Sequence, residues 1–315
     1  RYQANVQTYT FSKGGRKIYD IVFQVSNHDI AFKYRVYSQD NILCCIVKKE
    51  ATGFMLPEGS TTFLCPQAAP MGGFARTSPS YETSYTVDDV TGKNGWGNGY
   101  TFPCLFKNED KGWILISETG VSSAYCGSRL LGKENGLYTI GFPQEGEYNG
   151  NGTVSPGIAL PGETPWRTIT VGKTLAPIVE TTVMFDVVKP LYEASQDFQY
   201  GCGTWSWIIG GDNSMNYDEQ KRYIDFSADM GYSSVLVDAL WDTQVGRDKI
   251  AELADYAASK GVALYLWYNS NGYWNDAPQS PRSIMNNIIM RRKEMKWMQS
   301  IGTVSYTHLR AHETG

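Results

Sequence analysis

The string VDALWD (237–242) places two carboxylates, Asp238 and Asp242, and one indole, Trp241, within six positions. A second string, LWYNSNGYW (266–274), offers Trp267 and Asn269, followed by Tyr273 and Trp274. Carboxylates and amides exchange hydrogen bonds with hydroxyl groups, and an indole face gives an apolar platform to a pyranose ring. These residue types in this density point to chemistry on a polyhydroxylated ring. Cleaving a glycosidic bond requires two carboxylates flanking the anomeric carbon, one protonated and one ionised. Asp238 and Asp242 come from a single strand end and no other strand offers a clear partner. Substrate contact is therefore the expectation for Asp238, Trp241, Trp267 and Asn269, while a catalytic pair is not assigned.

Positioning these residues is a task for three repeated units. Strand-like runs CGTWSWII (202–209), SSVLVDAL (233–240) and VALYLWYN (262–269) alternate with amphipathic stretches that end at Met230-Gly231, Lys260-Gly261 and Ile301-Gly302. This order predicts a parallel (β/α) barrel or doubly wound sheet, folds that gather their chemistry at the carboxyl ends of the strands. Trp207, Asp238, Trp241, Asp242, Trp267 and Asn269 would share that rim. Trp205 and Trp207 alternate onto one face, where core packing is favoured. Asn216, with Glu219 three residues on, predicts a capped start for the first helix. Ile250, Leu253, Ala254 and Ala257 make the stripe of the second. A third helix is expected after Pro281, with Ile284, Ile288, Met295 and Met298 inward and Arg291-Arg292-Lys293 on a solvated face.

The first half reads differently. IYDIVFQVSN (18–27), DIAFKYRVYS (29–38), FPCLFKN (102–108), GWILISE (112–118), GLYTIGF (136–142) and PWRTITVG (165–172) alternate polar and apolar residues, with turn signals at Lys13-Gly14-Gly15 and from Asn108 to Gly112. That pattern predicts an all-β sandwich. The expected division is a sandwich over 1–183, a connector over 184–200, the first three units of a (β/α)8 barrel over 201–302, and a non-native tail over 303–315. The tail, TVSYTHLRAHETG, resembles a translated library adapter, so His308 and His312, four apart in it, are set aside as metal ligands.

Composition narrows the function further. A net charge of −4 with no basic run gives nucleic acid little to bind. No run of about 18 apolar residues is present to span a membrane. The six cysteines show neither a CxxC pair nor zinc spacing and are expected to be buried free thiols, with a disulfide left open for an exported protein. The first residues read as the middle of a strand, so the amino-terminal edge of the sandwich is expected to be missing.

GWILISETG (112–120), GTWSWIIGG (203–211), YIDFSADMGYSSVLVDALW (223–241) and KGVALYLWYNS (260–270), in this order after a β-rich half, resemble glycoside hydrolase family 97. The resemblance runs from about Asp20 to Gly302. It implies an antiparallel β-super-sandwich followed by a truncated (β/α)8 TIM barrel, from a bacterial, exo-acting α-glycosidase cleaving terminal α-linked glucose or galactose. It also implies a periplasmic or secreted location and a calcium cofactor, held by glutamates of which one comes from the sandwich. Glu118 is the matching position. The family's catalytic acids belong to later strands, so these 315 residues are expected to be inactive alone. Two rivals stand beside this reading: another α-galactosidase-like barrel, and a carbohydrate-binding sandwich joined to an unrelated α/β domain.

Overall fold

The computed structural model describes residues 2–68, 86–87, 96–134, 136–151, 153–191, 193, 200–270 and 278–305. The chain divides into two compact units whose boundary in sequence follows Glu193.

In the first unit the alternating runs become strands. They are β1 (Asn5–Lys13), β2 (Arg16–Val25), β3 (Asp29–Val36), β4 (Cys44–Ile46), β5 (Gly53–Met55), β6 (Thr61–Ala68), β7 (Thr86–Val87), β8 (Trp96–Asn108), β9 (Gly112–Thr119), β10 (Arg129–Glu134), β11 (Leu137–Gly141), β12 (Gly157–Ala159), β13 (Gly162–Glu163) and β14 (Trp166–Gly172). Twelve of them form one antiparallel sheet along the path β1-β2-β3-β14-β9-β8-β10-β11-β5, with β13 on β3, β6 on β8 and β7 on β6. Gly14 and Gly15, with φ of 59° and 79°, make the β1–β2 turn, a conformation that costs other residues a steric penalty.

The sheet curls over itself. Phe32 on β3 lies 6.5 Å from Phe54 on β5, and the Tyr34 hydroxyl is 2.9 Å from Thr52 Oγ1, although β3 and β5 are far apart along the hydrogen-bonded path. Leu64, Tyr100, Phe106, Ile116 and Leu130 fill the space enclosed. Each such side chain contributes about 1.5–3 kcal/mol on leaving water. The layers expected of a sandwich thus arise from one curled sheet. Two short helices follow, α1 (Ala176–Glu180) and α2 (Val183–Asp186); Val183 packs with Trp166, Val22 and Ala31.

The second unit holds a parallel sheet in the order β15 (Gly203–Trp205), β16 (Ser234–Val237), β17 (Ala263–Leu266) and β18 (Val304–Ser305). After β15 come α3 (Trp207–Gly210) and α4 (Tyr217–Asp229); after β16, α5 (Trp241–Gln244) and α6 (Arg247–Ser259); after β17, α7 (Ile288–Ser300). Ile224, Val235, Val237, Ile250, Leu253, Leu264, Leu266 and Met298 form the core between helices and sheet.

All three long helices end alike. Gly231, Gly261 and Gly302 have φ near 70°, and each passes its N–H back to the residue three before it, at Ala228, Ala258 and Gln299. The next N–H in each case, of Tyr232, Val262 and Thr303, reaches the carbonyl five residues back, at Ser227, Ala257 and Met298. These paired bonds satisfy the last carbonyls of each helix and turn the chain into the next strand.

Several expectations are corrected. The first strand of the parallel sheet stops at Trp205, because residues 207–210 coil into α3, so Trp207 is helical. Asn216 does cap α4, accepting from Glu219 N at 2.9 Å, but the Glu219 carboxylate takes Arg222 instead of returning the bond. The third helix does begin after Pro281, at Ile288 capped by Asn287, so Ile284 precedes it, and Ile288 is exposed instead of inward. Val304 and Ser305, from the segment set aside as a tail, pair in parallel with Tyr265 and Leu266. Residues 306–315, with His308 and His312, lie outside the described residues, as do Tyr273 and Trp274.

Candidate functional site

Asp238 follows the last residue of β16, and Trp205 is the last residue of the neighbouring β15. The parallel register sets Trp205 beside Leu236, which brings its indole N–H to Asp238 Oδ2 at 2.8 Å. The other carboxylate oxygen, Oδ1, accepts the N–H of Ala239 at 2.6 Å. Asp238 is 5% exposed. Two fixed donors therefore orient a nearly buried carboxylate at the carboxyl ends of the strands. Trp205 stacks on Trp207, with ring centroids 5.7 Å apart and planes 19° apart, and the Trp207 N–H is held by Asp212.

The loops after β16 and β17 are tied together around this point. Leu240 N donates to Ser280 O at 2.7 Å, Asn269 N to Pro281 O at 3.0 Å, and Asn269 Nδ2 to Gln279 O at 3.1 Å. Ser280 Oγ donates to Asp242 Oδ1 at 2.5 Å. Trp267 and Asn269 are both buried at this end of β17, and Trp267 also serves through its backbone, receiving the Trp241 indole N–H at 2.8 Å.

Trp241 does not form a sugar platform. It is fully buried, stacked on Trp297 at 5.8 Å and 10°, and meets the ring of Tyr268 edge-on at 5.6 Å. Arg247 lies over both indoles and bonds Glu294, which also accepts the Tyr268 hydroxyl. Burial, followed by that bond to Glu294, pushes the Tyr268 phenol well above its usual range. Of the sequence-predicted residues, Asp238, Trp267 and Asn269 thus gather at one end of the parallel sheet, while Trp241 anchors the loop beneath them. Trp205 is the neighbour that the sequence reading left in the core.

Glu118 belongs to a separate group within the first unit. On β9 it stands opposite Arg167 of β14 in the sheet register. Its Oε2 accepts Arg167 Nη1 at 2.5 Å and Ser128 Oγ at 2.6 Å, and its Oε1 accepts Ser128 N at 2.8 Å. The same guanidinium gives Nε and Nη2 to Glu50 at 3.0 and 2.6 Å, and Thr52 also donates to Glu50. Arg167 is fully buried between the two acids. Burial alone would lower its pKa, but the hydrogen bonds and charges of Glu50 and Glu118 outweigh that and hold it above the usual arginine range. Nearby, burial and then the charge of Glu118 push the Cys126 thiol up to about 11.

Both units match models of one family. Residues 1–190 match the glycosyl hydrolase 97 N-terminal domain and residues 197–308 match glycoside hydrolase 97. The chain belongs to glycoside hydrolase family 97. The second half is therefore not an unrelated α/β domain. Among similar family 97 proteins, a probable retaining alpha-galactosidase of Streptomyces bingchenggensis (strain BCW-1) is 28% identical over 82% of this chain and 39% of its own length. A retaining alpha-galactosidase of Bacteroides thetaiotaomicron is 27% identical over 43% of this chain and 22% of its own. A crystal structure of a beta-arabinopyranosidase superposes with a TM-score of 0.91 at 52% identity, over 97% of this chain and 49% of that one. A family 97 enzyme from Pseudoalteromonas sp. strain K8, in complex with acarbose, shares the fold with a TM-score of 0.69 at 21% identity. The chain spans less than half the length of the curated relatives it matches.

Calcium does not fit Glu118 as this chain holds it. Both carboxylate oxygens already receive donors, one of them a guanidinium whose positive charge would repel a cation. Among the described residues, no three His, Cys, Asp or Glu side chains converge as a metal site requires.

Proposed function

We propose that the whole protein is an exo-acting glycoside hydrolase that removes a terminal sugar of galactose configuration, with the parallel sheet as the opening of a (β/α)8 barrel. The carrying observation is Asp238, buried at the carboxyl end of β16 and fixed by Trp205 and Ala239. A carboxylate so held recognises sugar hydroxyls in one orientation, without paying reorganisation when the substrate arrives. The relatives support the sugar. A β-L-arabinopyranoside has the ring configuration of an α-D-galactopyranoside without its hydroxymethyl group, so proteins described as alpha-galactosidase and beta-arabinopyranosidase present one recognition problem. Reaction with retention follows the same relatives.

Neither catalytic role is assigned to Asp238. The hydrogen bonds it receives from Trp205 and Ala239 suit a group that binds. A calcium requirement is proposed for the whole protein from the family resemblance alone, with no part for Glu118, and treatment with EDTA tests it. An exported location is proposed on the same ground; fractionation of the producing cells tests that. Among the described residues no helix is long and apolar enough to cross a membrane.

The test of substrate is a panel of p-nitrophenyl glycosides offered to the protein with its complete family 97 catalytic domain. Turnover of the β-L-arabinopyranoside and the α-D-galactopyranoside well above the α-D-glucopyranoside is expected. Preference for the glucoside would refute the sugar assignment, and proton NMR of the first-formed product decides retention.

A further inference from the structure

Between β17 and α7, residues 279–281 lie in neither strand nor helix, so individual bonds set their place. Two come from the backbone at the ends of the parallel strands: Leu240 N reaches Ser280 O at 2.7 Å, and Asn269 N reaches Pro281 O at 3.0 Å. Asn269 adds its side chain, with Nδ2 donating to Gln279 O at 3.1 Å. The fourth bond uses a side chain of the segment itself, Ser280 Oγ donating to Asp242 Oδ1 at 2.5 Å. A bond from a hydroxyl to a carboxylate is short and directional.

Both sides of this last bond are anchored. Asp242 follows Trp241, which is fully buried and gives its indole N–H to Trp267 O, so the start of α5 is pinned to the end of β17. Beyond the segment, Pro281 and Met285 are buried, and Met285 O receives Arg291 Nη1 from α7. The consequence falls on Asn269. It is 3% exposed, and its main-chain N–H and its amide both bond residues 279–281. The plane of its carboxamide therefore follows the segment, and the segment follows Asp242. A binding group displaced by about 1 Å loses its alignment with the substrate.

We propose that Asp242 is a positioning residue for the terminal sugar: through Ser280 it holds residues 279–281 where they fix the Asn269 carboxamide, at the same sheet end as Asp238. The proposal rests on the reading of that sheet end as the sugar site. It gives the second carboxylate of VDALWD a task within the protein, its Oδ1 turned to Ser280 instead of to a substrate.

The test is kcat and KM on p-nitrophenyl β-L-arabinopyranoside, for the protein with its complete family 97 catalytic domain. Asp242→Ala is expected to raise KM about fivefold or more while kcat stays within about twofold, the pattern of lost ground-state binding. Ser280→Ala deletes a single hydroxyl and should do the same, which keeps the comparison open if Asp242→Ala fails to fold. Asp242→Asn retains an oxygen acceptor for Ser280 and should bring KM back to within about twofold of wild type. Asp242→Ala combined with Asn269→Ala should be no worse than Asn269→Ala alone, because the first acts through the second. Unchanged KM in Ser280→Ala, an Asp242→Asn variant as impaired as the alanine, or losses that multiply in the double variant would each overturn the proposal. In all three outcomes Asp238→Asn stays impaired. Full activity of Asp238→Asn would sink the sugar-site reading and this proposal with it, which sets that failure apart.

Discussion

Replacing Arg167 by Met removes the one cation between two buried carboxylates. In the native chain its guanidinium bonds Glu50 through Nε and Nη2 and Glu118 through Nη1, with no side-chain exposure of its own. Met fills much of the volume but leaves both acids buried and close to each other. Breaking a buried pair by removing one partner costs about 3–5 kcal/mol. For a domain of this size each kcal/mol moves the midpoint by about 2–4 °C, so a fall on the order of 10 °C is expected at pH 8. Circular-dichroism melts of wild type and variant, with Glu50→Gln and Glu118→Gln added to the variant, measure this. A midpoint shift below about 3 °C, or no recovery on adding the two glutamines, would refute the reasoning.

Trp241→Ala is expected to cost about 3–5 kcal/mol, since it empties the space between Trp297, Tyr268 and Arg247; urea titration checks it, and a surface-like loss below 1 kcal/mol would return Trp241 to a ligand-facing role. Gly261→Ala puts a Cβ on a residue at φ 73° with nothing within 4 Å to clash, so the cost is the backbone conformation alone, about 1 kcal/mol by the same titration. The Cys126 thiol, raised to about 11, is expected to resist iodoacetamide at pH 8 while exposed Cys44 and Cys202 are alkylated, as peptide mass spectrometry would show.

How far the sequence reached depends on the range of the interactions. The helix ends at Gly231, Gly261 and Gly302 were legible because each glycine-terminated turn is fixed by residues within five positions of it. The placement of Asp238 at a strand end was legible for the same reason. Trp241 was misread because it was taken to share the strand-end rim with Asp238. Leu240 takes φ 71°, its N–H fixed by Ser280 O, and this reverses the chain so that the next residue begins a helix facing the core. Glu118 was hidden by distance along the chain. Its fate is decided by Arg167 across a register between strands far apart in sequence, and by Glu50 farther still, and neither leaves a local periodicity. A charged residue inside the strand-like run PWRTITVG was the available signal.

The claim on which the functional account rests is that Asp238, oriented by Trp205, binds the terminal sugar. It is tested most directly by kcat/KM on p-nitrophenyl β-L-arabinopyranoside, for the protein with its complete catalytic domain, as wild type and as Asp238→Asn. Losing a charged hydrogen-bond partner of the sugar costs about 1.5–3 kcal/mol, so a fall of about 10- to 100-fold is predicted. Unaltered kcat/KM in the variant would contradict the account.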